Sequence, residues 1–387
     1  MNDLPIIEAI QYEAIPLRSS TSIGYLLEQI GDASIVLLGE STHGSREFYS
    51  LRAEITKRLI VEKHFDAIAV EADWPDALRV SRYIRDTGDD DSADQALQGF
   101  QRFPQWMWRN TEMVALIDWL RSHNRHIMPM ENRVGFFGLD VYSLRKSMDA
   151  VVRFLDEVDP EAAREARIRY GCFDRFSDDP QRYGYDATMG VAKGCEEQVV
   201  QQMLALTSED GKYLARGAPG PDELFYAQQN ARVAKSAEAY YRTMFRNRDE
   251  SWNLRDTHMA DSLDALLEHI GQYKRSRARI VVWAHNSHIG DASATEMGDR
   301  GQLNLGQLVR QRHPRSDTYL IGFTTHTGTV TAASDWDGPA ERKNVLPSRP
   351  DSVEYLLHQT GIGTFVLPIR KPEGLLRAMA RRRLERA

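Results

Sequence analysis

Cysteine, net positive charge and long apolar runs are all scarce in this sequence. The 387 residues include two cysteines, Cys172 and Cys195, too few for a disulfide framework, and we expect packing or surface thiols. The formal net charge of -7 argues against a nucleic-acid-binding surface, because contacts with phosphates need a basic field. No apolar run approaches the roughly 18 residues of a membrane-spanning helix, and the first residues lack the basic stretch of a signal peptide. We therefore expect a cytoplasmic protein with no nucleic-acid or membrane partner.

Several familiar motifs are also missing. No Gly-x-Gly-x-x-Gly follows an apolar run, and "GESTHG" at 39–44 lacks the Gly-Lys-Ser/Thr ending of a phosphate-binding loop. Neither this stretch nor "HNSHIG" at 285–290 is the Gly-x-Ser-x-Gly turn of serine hydrolases. Ser41 and Ser287 lie close to histidines in sequence, but such neighbours rarely have triad geometry, which disfavours a serine acyl-enzyme.

Six short apolar runs, bounded by Gly or polar residues, are typical of strands that are buried on both faces of a parallel sheet. They are 34–39, 66–72, 134–140, 278–285, 318–325 and 363–369. Helical periodicity at 45–63 and 108–124 places helices between the early strands. This alternation predicts an α/β fold with a mostly parallel central sheet flanked by helices.

The middle of the chain has a different pattern. Residues 143–273 show helical periodicity and no run typical of a strand, and we interpret "RFSDDPQRYGYDA" at 175–187 as a loop. We predict a discontinuous core domain, 1–142 and 274–387, with a helical insertion at 143–273. The insertion would cover the cleft at the carboxyl edge of the sheet, where ligands bind in such folds. The basic end, "ARRRLERA" at 380–387, we interpret as a solvated helix end.

Ionisable residues stand at the carboxyl ends of four predicted strands. Because parallel strands end at the same edge of a sheet, we expect these side chains to converge. They comprise three carboxylates and three histidines: Glu40, His43, Glu71, Asp140, His285 and His288. A single acid at a strand end often only caps the next helix, but repetition at one edge indicates a functional site.

Two kinds of chemistry fit this set. As metal ligands, Glu40, His43, Glu71, His285 and His288 would offer the imidazole and carboxylate groups that suit zinc or non-haem iron. Without a metal, the carboxylates would orient and polarise a histidine that takes a proton from water, while an opposing group stabilises the oxyanion. The spacing of the residues leaves both open.

Two other stretches offer side chains for the same cleft. In "NLRDTHMADSL" at 253–263, Arg255 shares a helix face with His258 and could pair with carboxylates or stabilise an oxyanion; the alternative is a surface pair with Asp261. In "FPQWMW" at 103–108, Trp106 and Trp108 could form an aromatic wall for a substrate, and the alternative is that both belong to the core.

Taken together, seven motifs resemble the erythromycin esterase family. They are "LLGESTHGSREFY", "AVEADWP", "NTEMVALIDWLRSHN", "FFGLDVYSL", "NLRDTHMADSL", "VVWAHNSHIGDA" and "MGDRGQLNLGQLVR", and they span roughly residues 34 to 311. The resemblance implies an α/β core with a helical part over the cleft, and a bacterial hydrolase of small-molecule esters. The bond cleaved would be an ester or macrolactone, as in macrolide resistance, with no required metal or cofactor.

The resemblance also implies roles for individual residues. His43 would be the general base that activates water, Glu40 and Glu71 would hold and polarise it, and Arg255 and His285 would fix the carboxylates and the substrate carbonyl. We place four further residues on the substrate-binding side: His288, Asp140, Trp106 and Trp108. Two alternatives stay open: a metal-dependent hydrolase or oxidoreductase that uses the same Glu and His residues, and a non-catalytic protein that binds a small ligand.

Overall fold

The structure, a computed structural model, describes residues 3–17, 20–176, 179–191, 193–208, 213 and 221–369. The basic end at 380–387 lies outside these residues. The strands are β1 (Ile15–Pro16), β2 (Ile35–Leu38), β3 (Ala67–Asp73), β4 (Gly135–Asp140), β5 (Ile280–Trp283), β6 (Thr318–Ile321), β7 (Gly328–Ala332), β8 (Glu341–Val345) and β9 (Phe365–Val366).

The α-helices surround these strands in sequence and in space. They are α1 (Leu4–Glu13), α2 (Ser20–Ile30), α3 (Arg46–Lys63), α4 (Trp74–Ile84), α5 (Ala93–Leu97), α6 (Thr111–Asn124), α7 (Leu144–Val158), α8 (Pro160–Tyr170), α9 (Pro180–Thr188), α10 (Glu196–Ser208), α11 (Pro221–Met244), α12 (Arg248–Lys274), α13 (Asn286–Ile289), α14 (Glu296–Asp299), α15 (Leu305–Arg312) and α16 (Val353–Gln359). Short 3-10 helices are at Gln105–Met107, Met130–Asn132, Gly171–Phe176, Ala292–Ala294 and Arg315–Asp317.

A five-stranded parallel sheet with the order β4-β3-β5-β2-β6 forms the centre of the protein. In the register, Val281 of β5 lies between Val36 of β2 and Ile68 of β3, and the strands run in the same direction. The carboxyl ends of β2, β3, β4 and β5 therefore meet at one edge. The predicted fold class is confirmed, as are five of the six predicted strands.

The strands bury both of their faces, which explains their almost continuous apolar sequences. Val36 and Trp283 enter a core on one face of the sheet, against α3 and α6. Leu37 and Val282 enter a core on the other face, against α11 and α12. Helices thus cover the sheet on both sides, and two of them come from the middle of the chain.

Between β4 and β5, the described residues form helices and no strand. Helices α7 to α11 share a core of their own, with Leu155, Tyr183 and Ala231 fully buried. The predicted boundaries of the two domains stay a prediction, because α11 and α12 also pack on the sheet. Among the described residues, none of the helices combines the length and apolar character needed to cross a bilayer.

Three expectations from the sequence are wrong. The run at 363–369 is not a buried parallel strand: only Phe365–Val366 is extended, half-buried, and pairs antiparallel with β1. The predicted loop at 175–187 contains most of α9, which starts with Pro180 after the N-cap Asp179, a favoured helix start. Cys172 and Cys195 are joined in a disulfide rather than being separate thiols.

Candidate active site

At the end of β2, Glu40 is fully buried and contacts two basic side chains. His43 Nδ1 lies 2.9 Å from its Oε1, and Arg52 Nη2 donates to its Oε2 at 2.7 Å. Arg52 comes from α3 and is itself fully buried, with its guanidinium 4.6 Å from the Tyr49 ring centroid and 4.4 Å from that of Trp283. The carboxylate therefore holds His43 on one side and is neutralised on the other.

A second group of charges joins the ends of β3 and β4 to α12. Arg255 donates from Nη2 to Glu71 Oε1 at 2.7 Å, and from Nε and Nη2 to the two oxygens of Asp140 at 2.9 and 2.8 Å. The other oxygen of Glu71 accepts the backbone N–H of His285 at 2.8 Å. Burial raises the pKa of Glu71, but the charges of His288 and Arg255 outweigh it and hold that pKa well below its ordinary value. Glu71 is thus an anion at neutral pH.

His288 lies on the inner side of this group. Its Nδ1 contacts Asp256 Oδ1 at 2.9 Å, its Nε2 is 3.3 Å from Glu71 Oε1, and its ring stacks on Trp252. Burial lowers the pKa of His288, but Asp256 and Glu71 overcome this and raise it to about 9. His288 is therefore cationic at neutral pH. Its Nε2 lies 3.1 Å from Nη1 of Arg255, and the surrounding carboxylates hold both groups in place.

His43 and His285 lie on the partly exposed side of the site, which we call its opening, with their ring centroids 5.2 Å apart. The side chain of His43 is 32% exposed, compared with 12% for Arg255 and 5% for Glu71. Burial lowers the pKa of His43, but the hydrogen bond to Glu40 and the charge of Glu71 give a net increase. Burial and the neighbouring His43 lower the pKa of His285, whose Nδ1 accepts from the Ser287 N–H at 3.2 Å. The opening is therefore lined by His285, which is neutral, and by His43, whose basicity is raised.

The structure brings together most of the residues singled out in the sequence: Glu40, His43, Glu71, Asp140, Arg255, His285 and His288. His258, on the same helix as Arg255, is buried outside this group, and burial lowers its pKa to about 4. Asp261 is on the surface and pairs with Arg312.

The two tryptophans assigned to the substrate have different surroundings. Trp108 is 5% exposed and packs against Phe100 in the core, so its position does not support a substrate wall, and the core interpretation of this residue fits the structure. Trp106 is half-buried and lies with its ring edge-on to Phe103, 5.3 Å away. Of this pair, Trp106 remains a candidate substrate-binding residue.

Sequence reasoning missed three residues of the site, Arg52, Asp256 and Arg102. Arg102 contacts Asp140 at 3.3 Å and Asp73 at 3.4 Å. Arg52 had a signal, because it occupies the buried stripe of α3, three positions from both Tyr49 and Ile55. A cation in an apolar helix face needs a buried anion. Asp256 directly follows Arg255 and carried no signal of its own.

The carboxylates do not offer free oxygens in the manner of a metal site. Glu40 and Glu71 each have both oxygens in contact with a donor, and in both cases one donor is a guanidinium group. Within the described ranges, no group of three or more His, Cys, Asp or Glu residues is arranged to hold a metal ion. The set of side chains is therefore arranged as an ion-pair network around His43.

Comparison with known proteins finds a family model and relatives of similar sequence. The family model described as erythromycin esterase matches residues 60–387. The Escherichia coli protein "Erythromycin esterase type II" is 24% identical over 322 residues, which cover 78% of this chain and 71% of that protein.

Two solved structures share the fold. A crystal structure of a succinoglycan biosynthesis protein has a TM-score of 0.78 at 22% identity, and covers 97% of this chain and 88% of that one. A mutant of the erythromycin esterase EreC in its open conformation has a TM-score of 0.64 at 18% identity, and covers 88% of this chain and 83% of that one. At these identities the structures support the fold and nothing more specific.

We expect Arg52→Met to lower the free energy of unfolding by about 3–5 kcal/mol, because it leaves the buried charge of Glu40 without its guanidinium partner. Urea unfolding followed by circular dichroism measures the change. Arg46→Met is the matched control on the same helix: Arg46 pairs with Glu112, but its side chain is 79% exposed, so a loss below about 1 kcal/mol is expected. Equal losses in the two variants would show that the buried pair has no special importance.

Proposed function

This chain belongs to the erythromycin esterase family and is an esterase-like hydrolase, and we propose that it cleaves its ester with a water molecule that His43 activates. The observation that carries the proposal is the position of His43: its Nδ1 is bound by a buried carboxylate while the ring remains partly exposed at the opening. A general base needs both an orienting partner and access to substrate.

The hydrogen bond to Glu40 assigns the proton positions on His43. A carboxylate can only accept, so neutral His43 carries its proton on Nδ1 and has a lone pair on Nε2. Nε2 takes a proton from water as the water oxygen bonds to the ester carbonyl carbon. The carbon–alkoxy bond of the tetrahedral intermediate then breaks, and the same proton passes from His43 to the leaving alkoxide. Atoms and charges balance without another reactant.

Arg255 and His288 provide the positive charge for the oxyanion. Among the described residues, the carboxylates contact Nε and Nη2 of Arg255, while Nη1 lies 3.1 Å from His288 Nε2. Nε and Nη2 of the same guanidinium are held by Glu71 and Asp140, which fixes the direction of Nη1. A donor held in place before the reaction stabilises developing charge without reorganisation.

The substrate class follows from the family. The E. coli relative is named as an erythromycin esterase, and erythromycin is closed by a macrolactone, so we propose a lactone or another carboxylic ester as the substrate. The alternative metal-dependent reaction would need ligand oxygens that the guanidinium groups of Arg52 and Arg255 contact here.

We expect His43→Ala to lower kcat roughly 10²–10⁴-fold on any ester that the wild-type protein hydrolyses, because it removes the general base. Release of acid in a pH-stat, over a panel of simple esters and macrolides, measures the rate. His123→Ala is the control, since His123 lies on α6 and stacks on Trp119. Wild-type turnover by His43→Ala would rule out this role for His43.

We expect Glu40→Gln to move the acid limb of the kcat/KM profile to lower pH. Glu40 raises the pKa of His43, and the base works only when neutral, so loss of the carboxylate lets His43 lose its proton at a lower pH. Arg52 also lowers the pKa of His43, so its charge moves the acid limb to lower pH as well once the Glu40 carboxylate no longer neutralises it. The measurement is kcat/KM against pH, with Glu54→Gln on exposed α3 surface as control. An acid limb that stays in place or moves to higher pH would contradict the mechanism.

A further inference from the structure

Strands β7 and β8 form a two-stranded antiparallel hairpin that is separate from the central sheet. Gly328 pairs with Val345 and Ala332 with Glu341, and the turn contains Trp336. Trp336 is 75% exposed, although a tryptophan gains more than most side chains from burial. An exposed large aromatic side chain in a fixed position needs an explanation, and its surroundings supply one.

The first strand of the hairpin is attached beside His43. The N–H of Thr331 donates to the carbonyl oxygen of Gly44 at 3.1 Å. A Cβ on Gly44 would lie only 2.0 Å from the carbonyl oxygen of Thr331, so the close approach requires glycine. The "THG" stretch therefore holds the hairpin at the residue that follows His43.

The turn of the hairpin is attached on the opposite side of the charged group. The rings of Trp336 and Phe103 have centroids 4.9 Å apart, and Phe103 directly follows Arg102. Arg102 pairs with Asp73 and Asp140, which end β3 and β4. The hairpin thus runs from the residue after His43 to the residue after Arg102, and contacts the two sides of the charged group.

We propose that Trp336, with Phe103 and Trp106, is a specificity-determining subsite that binds an apolar ring system in the acyl part of the ester. The proposal rests on the function proposed above and extends it to the choice of substrate. Phe103 contacts both tryptophan rings and directly follows Arg102 of the charged group, and the exposed face of Trp336 leaves area for a further ring. Apolar and aromatic side chains supply most of the contact area in small-molecule sites, while a few polar groups fix the reacting atoms.

The test compares methyl acetate with methyl 2-naphthylacetate, which share a leaving group and differ in the acyl ring, in a pH-stat. For Trp336→Ala we expect KM for the naphthyl ester to rise about tenfold with kcat little changed, the pattern of lost ground-state binding. Hydrolysis of methyl acetate should stay at the wild-type rate. Trp336→Phe should restore most of the affinity, and Tyr12→Ala, which removes another exposed aromatic ring, should resemble wild type.

A binding measurement separates this subsite from the catalytic role of His43. Calorimetric titration of methyl 2-naphthylacetate into His43→Ala and into the His43→Ala/Trp336→Ala double variant needs no turnover. Weaker binding by the double variant supports the subsite even if His43 proves not to be the base. Equal binding by the two variants, or no binding to either, would overturn the proposed subsite. An equal loss of hydrolysis of both esters by Trp336→Ala in the kinetic test would overturn it as well. A dimer seen in sedimentation and abolished by Trp336→Ala would also overturn it, because Trp336 would then be a contact between copies of the chain.

Discussion

The structure depends on the neutralisation of carboxylates at the carboxyl edge of its sheet. Glu40, Glu71 and Asp140 lie at the carboxyl ends of β2, β3 and β4 and are almost completely buried. An unpaired buried carboxylate would destabilise the fold severely, so each needs a cation brought by another element. Arg52 comes from the helix after β2, and Arg255 from a helix more than a hundred residues beyond β4. The ion pairs that allow charged residues at the buried strand ends therefore also form the site.

This constraint gives the helical segment between β4 and β5 two tasks. The amino-terminal half of α12 places Arg255 between Glu71 and Asp140, and Asp256 beside His288. The following turns of the same helix bury Met259 and Leu263 against the sheet. Because both contacts are made by one continuous helix, a shift of α12 would disturb the ion pairs and the core together. The segment is thus part of the site and part of the core on one face of the sheet.

The sequence predicted the charged residues at the strand ends better than the residues that pair with them. A buried parallel strand is recognisable from its composition, and parallel strands end at one edge, so the meeting of Glu40, Glu71 and Asp140 followed from local patterns. Asp256 was missed because pairing across elements depends on how helices pack, which no local pattern contains. Arg52 was missed although its place in the buried stripe of α3 pointed to a buried anion without saying which one. The hairpin was missed for a related reason: its strands are largely exposed and polar, and a two-stranded ribbon lacks the buried apolar run that identified the others.

The three histidines of the site have pKa values that their surroundings shift differently, and the difference assigns their roles. His288 is held as a cation by Asp256 and Glu71, so it stabilises charge and cannot serve as a base at neutral pH. His285 is kept neutral by burial and by the neighbouring His43, with Nδ1 already accepting from the backbone. The ring of His43 has a carboxylate on one nitrogen and the opening on the other side. Its basicity is a balance, because Glu40 and Glu71 raise its pKa while burial and Arg52 lower it. Neutralising Glu40 with Arg52 therefore does more than stabilise the fold: the charge of Arg52 also limits how strongly His43 holds its proton.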